Sequence, residues 1–304
     1  MKIHFISCRW ADRQPTDRKG KIVIHRETLP VIPDDRGDDL HNLESADSAD
    51  LVLFMAGNQF MVMDSLIEAF KKQHPDIRRI YFETLPPGLE LRQILSGGAV
   101  FRDDTITIYP DVYTSVNLTA MVRLQDTGHL TINPPRLYLH NRLVLMVPKG
   151  NPARIRSVSD LGQERIRISQ PDPKNEDIAF HIIDMYRQAG GDRLVHRIME
   201  EKRREGTTVL TRVHHRETPE RIVKRSVDAG PVWATEVIHA RSEGIEMDMV
   251  DPGPDLDQHE RVNYYICRLD RAPNPENGDQ FIDFITTRTA RKIYERYGFL
   301  PPDL

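Results

Sequence analysis

The pair His214-His215 and four short polar turns are where this chain places residue types able to bind or react. The histidines end "TTVLTRVH", an apolar run that reads as a strand. Neighbours on a strand point to opposite faces, so the two imidazoles are poorly placed to share one metal ion. No H-E-x-x-H spacing supplies further ligands, which leaves contact of His214 or His215 with a polar ligand as the better use. The turns offer different chemistry. Ala56-Gly57-Asn58-Gln59 follows the apolar strand "LVLFM" and precedes a helix over 60–73, where Phe60, Met63, Leu66, Ile67 and Phe70 recur at helical spacing. A helix N-terminus presents unpaired N–H groups and the positive end of the helix dipole, which suits an anion. Asn58 can cap that helix, donate to a ligand, or do both. Gly88 is either a Pro-Gly turn into the next helix or a point where a ligand approaches backbone. Trp233 either lines a cleft or packs within a short strand.

Other candidates read as structure. Asp103-Asp104 and the loop Asp251/Asp255/Asp257 lack the spacing of a calcium loop and are expected to be solvated. "EEKRRE" at 200–205 is expected to be an exposed helix face laced with i,i+3 and i,i+4 charge pairs. Cys8 and Cys267, the only cysteines, are too few for a disulfide framework or a zinc site and are expected to be buried or idle thiols, with a single bridge between them as the alternative. There is no G-x-S-x-G, Walker, C-x-x-C or G-x-G-x-x-G pattern, so catalysis has no motif and no cofactor is expected.

The elements that must position these turns alternate. After a polar, Asp-, Arg- and Pro-rich stretch to residue 49, expected as an extension or loose arm with one strand at "GKIVIHRE", strands and helices follow in turn. Strand "RIYFET" leads through "LPPG" to a helix over 88–96. "TITIYPDVYTSVN" reads as one strand before a helix over 117–126. "RLVLMVPKG" and "RIRISQP" are further strands, with helices over 177–190 and 193–205. Thr218-Pro219-Glu220 starts another helix, "RVNYYICRL" a returning strand, and helices over 276–297 close the chain. Such alternation predicts an α/β protein, each lobe a mainly parallel sheet flanked by helices. The expected division is an extension over 1–49, a first lobe from 50–147 and 246–304, and a second lobe from 148–245. Chains that cross twice between lobes leave a cleft that commonly holds a ligand. With 39% hydrophobic and 29% charged residues among 304, the composition is that of a globular protein. A net charge of −4 and a pI near 6.3 speak against a nucleic-acid partner. No apolar run reaches the roughly 18 residues of a membrane span.

Five segments, "FMAGNQFMVMDSLIEAFKKQHPDI", "PDVYTSVNLTAM", "NRLVLMVPKGNPARIRSVSDL", "AGPVWATEVIHA" and "FIDFITTRTARKIYERYGFLPP", resemble in order and spacing the molybdate/tungstate-type substrate-binding proteins of ABC importers. The resemblance spans about residues 50–302. It implies the two-lobed type II periplasmic-binding-protein fold, a metal-free oxyanion site between the lobes, a membrane permease as partner, a monomer, and a periplasmic or extracellular location. By position the contacting loops would be Ala56–Gln59, Leu85–Gly88, Pro173–Asp177 and Val232–Thr235. The implied ligand residues are Gly57, Asn58, Gln59, Pro87, Gly88, Asn175, Glu176, Trp233, Ala234 and Thr235, with Thr114, His214 and His215 behind them. Three features depart from the family. Asn58 and Pro87 stand where hydroxyls are usual, Trp233 where tyrosine is, and Glu83 and Glu90 flank the second loop, where a carboxylate would repel an anion. Arg9, Arg13, Arg18 and Lys19 follow Cys8 at once, so an export signal is not expected within this chain, and an intracellular sensor on the same fold is the alternative. A metal-binding protein using His214 or His215 is the other.

Overall fold

The computed structural model describes residues 26–174, 176–212 and 217–302. Cys8, Asn175, His214, His215 and nearly all of the strand expected at "GKIVIHRE" lie outside them. Two short strands come first, β1 (Val31–Ile32) and β2 (Leu40–His41). β3 (Leu51–Phe54) runs through a 3-10 turn, Gly57–Gln59, into α1 (Phe60–Gln73), and β4 (Ile80–Glu83) runs into α2 (Pro87–Ser96). A hairpin of β5 (Ala99–Phe101) and β6 (Asp104–Ile106) precedes β7 (Val112–Ser115), α3 (Leu118–Asp126) and β8 (Arg136–His140). Next come β9 (Leu143–Pro148), β10 (Ile168–Gln170), α4 (Ile178–His196), α5 (Lys202–Arg204) and β11 (Thr208–Leu210). α6 (Glu217–Val223), β12 (Gly230–Trp233), α7 (Ala234–Ser242) and β13 (Met247–Val250) follow, and β14 (Asn263–Arg268), α8 (Pro275–Ile285) and α9 (Arg288–Arg296) close the order.

These elements gather into two compact units. The first takes the described residues up to Tyr138 with Tyr264–Ile293, the second Leu139–Asn263 with the described residues from Tyr294 on. In the first, a six-stranded sheet has the order β2-β4-β3-β7-β14-β8. β3 is parallel to both β4 and β7, the result of β-α-β crossovers, whereas β2 runs antiparallel to β4 and β14 to β7. α1 docks by its apolar stripe, burying Met63, Leu66, Ile67 and Phe70, and ends before Pro75. α3 starts where the Asn117 side chain accepts the Ala120 N–H at 3.1 Å.

In the second unit, β12 and β13 run the same way, joined by α7, with β9 antiparallel between them. β10 and β11 form a parallel pair. Strand–helix alternation anticipates the crossovers, but it does not say that β9 enters between two crossover strands; both units are therefore mixed rather than mainly parallel. β13, expected in the first lobe, pairs with β9 here.

Three local expectations change. "TITIYPDVYTSVN" is two strands, because Pro110 has no N–H for a ladder and Asp111 turns inward to accept the Val52 N–H at 2.8 Å. The stretch before residue 50 is not a loose arm where it is described: β1 pairs with β5 and β2 with β4, so backbone hydrogen bonds dock a segment with few apolar side chains. "EEKRRE" is not a wholly exposed face. Lys202 is fully buried, and its Nζ donates to the carbonyls of Gln163 at 2.7 Å, Glu164 at 3.3 Å and Ile166 at 2.6 Å. Likewise Asp257, expected in solvent, is buried and accepts from His259 at 2.6 Å. The helices expected over 177–190 and 193–205 do separate, at Gly190-Gly191, where Gly191 takes φ 67°. No described helix is long and apolar enough to cross a membrane.

Candidate functional site

In the first unit the turn after β3 is held from below. The Thr114 hydroxyl on β7 accepts the Ala56 N–H at 2.7 Å and the Gln59 amide at 3.3 Å, and Tyr138 donates to Gln59 Oε1 at 2.9 Å. Thr114 and Gln59 are fully buried, so their polar atoms fix the turn. Gly57 lets that turn lie against the second loop: a Cβ there would stand 2.8 Å from the Thr84 carbonyl oxygen and 3.1 Å from that of Leu85. The loops 56–59 and 84–88 are thus packed backbone to backbone. Pro87 opens α2 and its carbonyl accepts the Tyr113 hydroxyl at 2.9 Å, while Gly88 is exposed with nothing within 4 Å of where a Cβ would be.

What the two loops leave unused are donors. The backbone N–H groups of Gly57, Asn58 and Gly88 have no acceptor among the described residues. Asn58 is buried, its Nδ2 donates to the Tyr264 hydroxyl, and its Oδ1 has no partner among the described residues. Turning that amide over lets Tyr264 donate to Oδ1 and presents Nδ2 as a further donor. Tyr264, the partner of Asn58, comes from the returning strand β14 and is not a residue that the sequence singles out. Its signal was the alternation of "NYYICR", which buries Tyr264 and Ile266 together.

The carboxyl groups expected to repel an anion are turned inward. Glu83 and Glu90 are fully buried. Glu83 Oε1 accepts from the Tyr81 hydroxyl at 2.6 Å and from Gln93 at 3.0 Å, and Glu90 Oε1 accepts the Leu85 N–H at 3.2 Å. Burial pushes the Glu83 carboxyl up to about 7, and burial followed by the neighbouring Glu83 raises Glu90 well above the usual range.

In the second unit the expected residues are mostly engaged with their own framework. Glu176 accepts from the Thr211 hydroxyl, and its N–H donates to the Asp172 carbonyl at 3.0 Å. Trp233 is buried at the end of β12 with its ring 5.9 Å from that of His181. The Ala234 N–H donates to the Arg142 carbonyl at 2.9 Å, and the Thr235 hydroxyl accepts from Asn141 at 3.2 Å. Residues 233–235 and 141–142 therefore form one cluster, and Glu176 with Asp172 and Thr211 another.

The profile of a family described as bacterial extracellular solute-binding protein matches residues 51–300. A curated relative, the putative ABC transporter substrate-binding lipoprotein YvgL of Bacillus subtilis strain 168, is 22% identical over 259 residues, 85% of this chain and 90% of the relative. Among solved structures, the periplasmic molybdate-binding protein of Azotobacter vinelandii superposes with a TM-score of 0.66 at 16% identity, covering 83% of this chain and 100% of that one. The sulfate-binding protein SubI of Mycobacterium tuberculosis H37Rv does so at 0.65 and 18% identity, covering 83% and 86%. The likeness to both is one of fold, the two-lobed periplasmic-binding type.

Proposed function

We infer the function from one premise: this chain belongs to the bacterial extracellular solute-binding proteins. It binds a solute. Its finer role, in our reading, is to capture a small oxyanion outside the cytoplasmic membrane, without altering it chemically, and deliver it to an ABC permease. The observation that carries the ligand class is the set of donors at the starts of α1 and α2. The N–H groups of Gly57, Asn58 and Gly88 lack acceptors among the described residues, and the buried Asn58 amide stands beside them. Helix N-termini with unpaired N–H groups favour anions over cations. Asn58 supplies through its amide the donor that a hydroxyl supplies in the family it resembles, while Gly57, Gln59 and Thr114 hold the turn. The printed functions of the relatives, a substrate-binding lipoprotein of an ABC transporter and binding proteins for molybdate and sulfate, agree with this reading. Pro87 contributes no N–H, so Gly88 is the donor of the second loop. From the second unit, Asn175, Glu176 and residues 233–235 remain the proposed contacts.

Isothermal calorimetry with molybdate, tungstate, sulfate, thiosulfate and phosphate tests the ligand class. One or more of them is expected to bind with a single-site isotherm. Binding of a cation or a neutral organic solute, with none of the five bound, would remove the oxyanion reading and leave the family untouched.

A further inference from the structure

Beneath the second loop lie two carboxyl groups whose environment goes beyond holding the loop. Glu83 ends β4 and Glu90 lies in the first turns of α2. Each uses one oxygen: Glu83 Oε1 takes the Tyr81 and Gln93 donors, and Glu90 Oε1 takes the Leu85 N–H. Glu83 Oε2, Glu90 Oε2 and Gln93 Oε1 are buried acceptors with no donor among the described residues. Neither glutamate has an ion-pair partner there either. The other groups around the pair do not supply one. Asp39, beside Thr84, is a third carboxyl group and pairs with Arg36 at 3.1 Å; Tyr113 donates to the Pro87 carbonyl; His41 stacks on Phe82. Two ionised carboxylates enclosed without a cation are strongly disfavoured, and a proton is the donor that the orphaned oxygens lack.

We propose that Glu83 and Glu90 hold a proton between them under residues 85–88, and that anion capture at Gly57–Gln59 and Gly88 is coupled to it, weakening as the pair ionises. The coupling rests on the oxyanion reading above. Two routes carry it. The Glu90 bond to the Leu85 N–H tethers the second loop, and Gly57 packs on the carbonyls of Thr84 and Leu85, so a shift of that loop reaches the donors of the first. A second charge below the donors also repels an anion directly. Glu83 and Glu90 are positioning residues in this scheme and touch no solute. Burial raises both carboxyls, Glu83 to about 7, which places one ionisation of the pair near neutrality.

The experiment joins two measurements on the full chain. The glutamate carboxyls of protein labelled with 13C are titrated by NMR without solute, and calorimetric affinities for sulfate and molybdate are taken from roughly pH 5 to pH 8. One carboxyl of the pair is expected to titrate near neutrality. Affinity is expected to fall about tenfold as it ionises, with heats that depend on buffer because binding takes up a proton. Glu90→Gln and Glu83→Gln should each flatten the pH dependence. Both carboxyls titrating in the ordinary range, or solute affinity that ignores pH while the pair titrates, overturns the proposal. If neither anion binds at any pH, and tungstate, thiosulfate and phosphate do not bind either, the oxyanion reading and the coupling fall together. The NMR titration then still judges the shared proton alone, upheld by a carboxyl titrating near neutrality and overturned by two ordinary ones.

Discussion

Two residues in the first turn make opposite demands. Gly57 is there for what it lacks: a methyl group at its Cβ position meets two backbone carbonyl oxygens that cannot swing aside. Gly57→Ala is therefore expected to cost about 1–3 kcal/mol, read from urea unfolding, and to weaken solute binding because the two loops separate. A neutral substitution would show that the loops do not need this contact. Asn58 is there for what it offers. Asn58→Ala should lower affinity for whichever oxyanion binds by about tenfold, the worth of one buried hydrogen bond to a charged ligand. Asn58→Ser, which restores the hydroxyl expected from the resemblance, should recover part of the loss. Equal affinities for wild type and Asn58→Ala would take Asn58 out of the site. The turn was legible in the sequence as strand, polar turn and helix. That Asn58 meets Tyr264 was not, because hydropathy along the chain carries no record of a partner on a strand formed by the chain's return.

At the scale of elements, the misreading of "EEKRRE" is instructive. A run of six charged residues looks solvated, and Arg197 does pair with Glu201 at 2.9 Å and Glu205 at 2.7 Å. Lys202 instead threads its ammonium onto three carbonyls of the 163–166 turn. Burial lowers its pKa, yet three carbonyl acceptors hold the charged form in place. Lys202→Met keeps the aliphatic stem and strands the carbonyls; a loss of about 2–3 kcal/mol in chemical denaturation is expected. A loss under about 0.5 kcal/mol would mean that water replaces the ammonium. The break at Gly190-Gly191 was legible by contrast, because two adjacent glycines are poor helix formers whatever surrounds them.

Over the whole molecule, the buried titratable groups tilt stability in opposite directions. Glu83 is raised from 4.5 to about 7, so the folded state holds a proton that the unfolded chain releases, and stability falls as pH rises through that interval. His129, buried and hydrogen-bonded to Tyr109 at 2.7 Å, is depressed from 6.5 to about 4, so stability falls as pH drops through that interval. The two slopes overlap and oppose each other. Glu83→Gln is expected to gain on the wild type steadily from pH 4.5 to about 7, by on the order of 3 kcal/mol in all. Melting temperatures of the two proteins across that range check it, and a constant difference would show that Glu83 titrates normally.

The sequence by itself determined the succession of apolar strands and amphipathic helices, the polar turns at strand ends, and through five ordered segments the family. These are properties of neighbours in the chain, and periodicities of two and 3.6 record them faithfully. Tertiary structure alone decided that β9 runs antiparallel between β12 and β13, that the stretch before residue 50 docks through backbone pairing, and that Lys202, Glu83 and Glu90 lie inside. The physical reason is shared by all of them. A residue's type states what partner it requires, but whether a carbonyl, a proton or another strand meets that requirement depends on segments that only folding brings alongside.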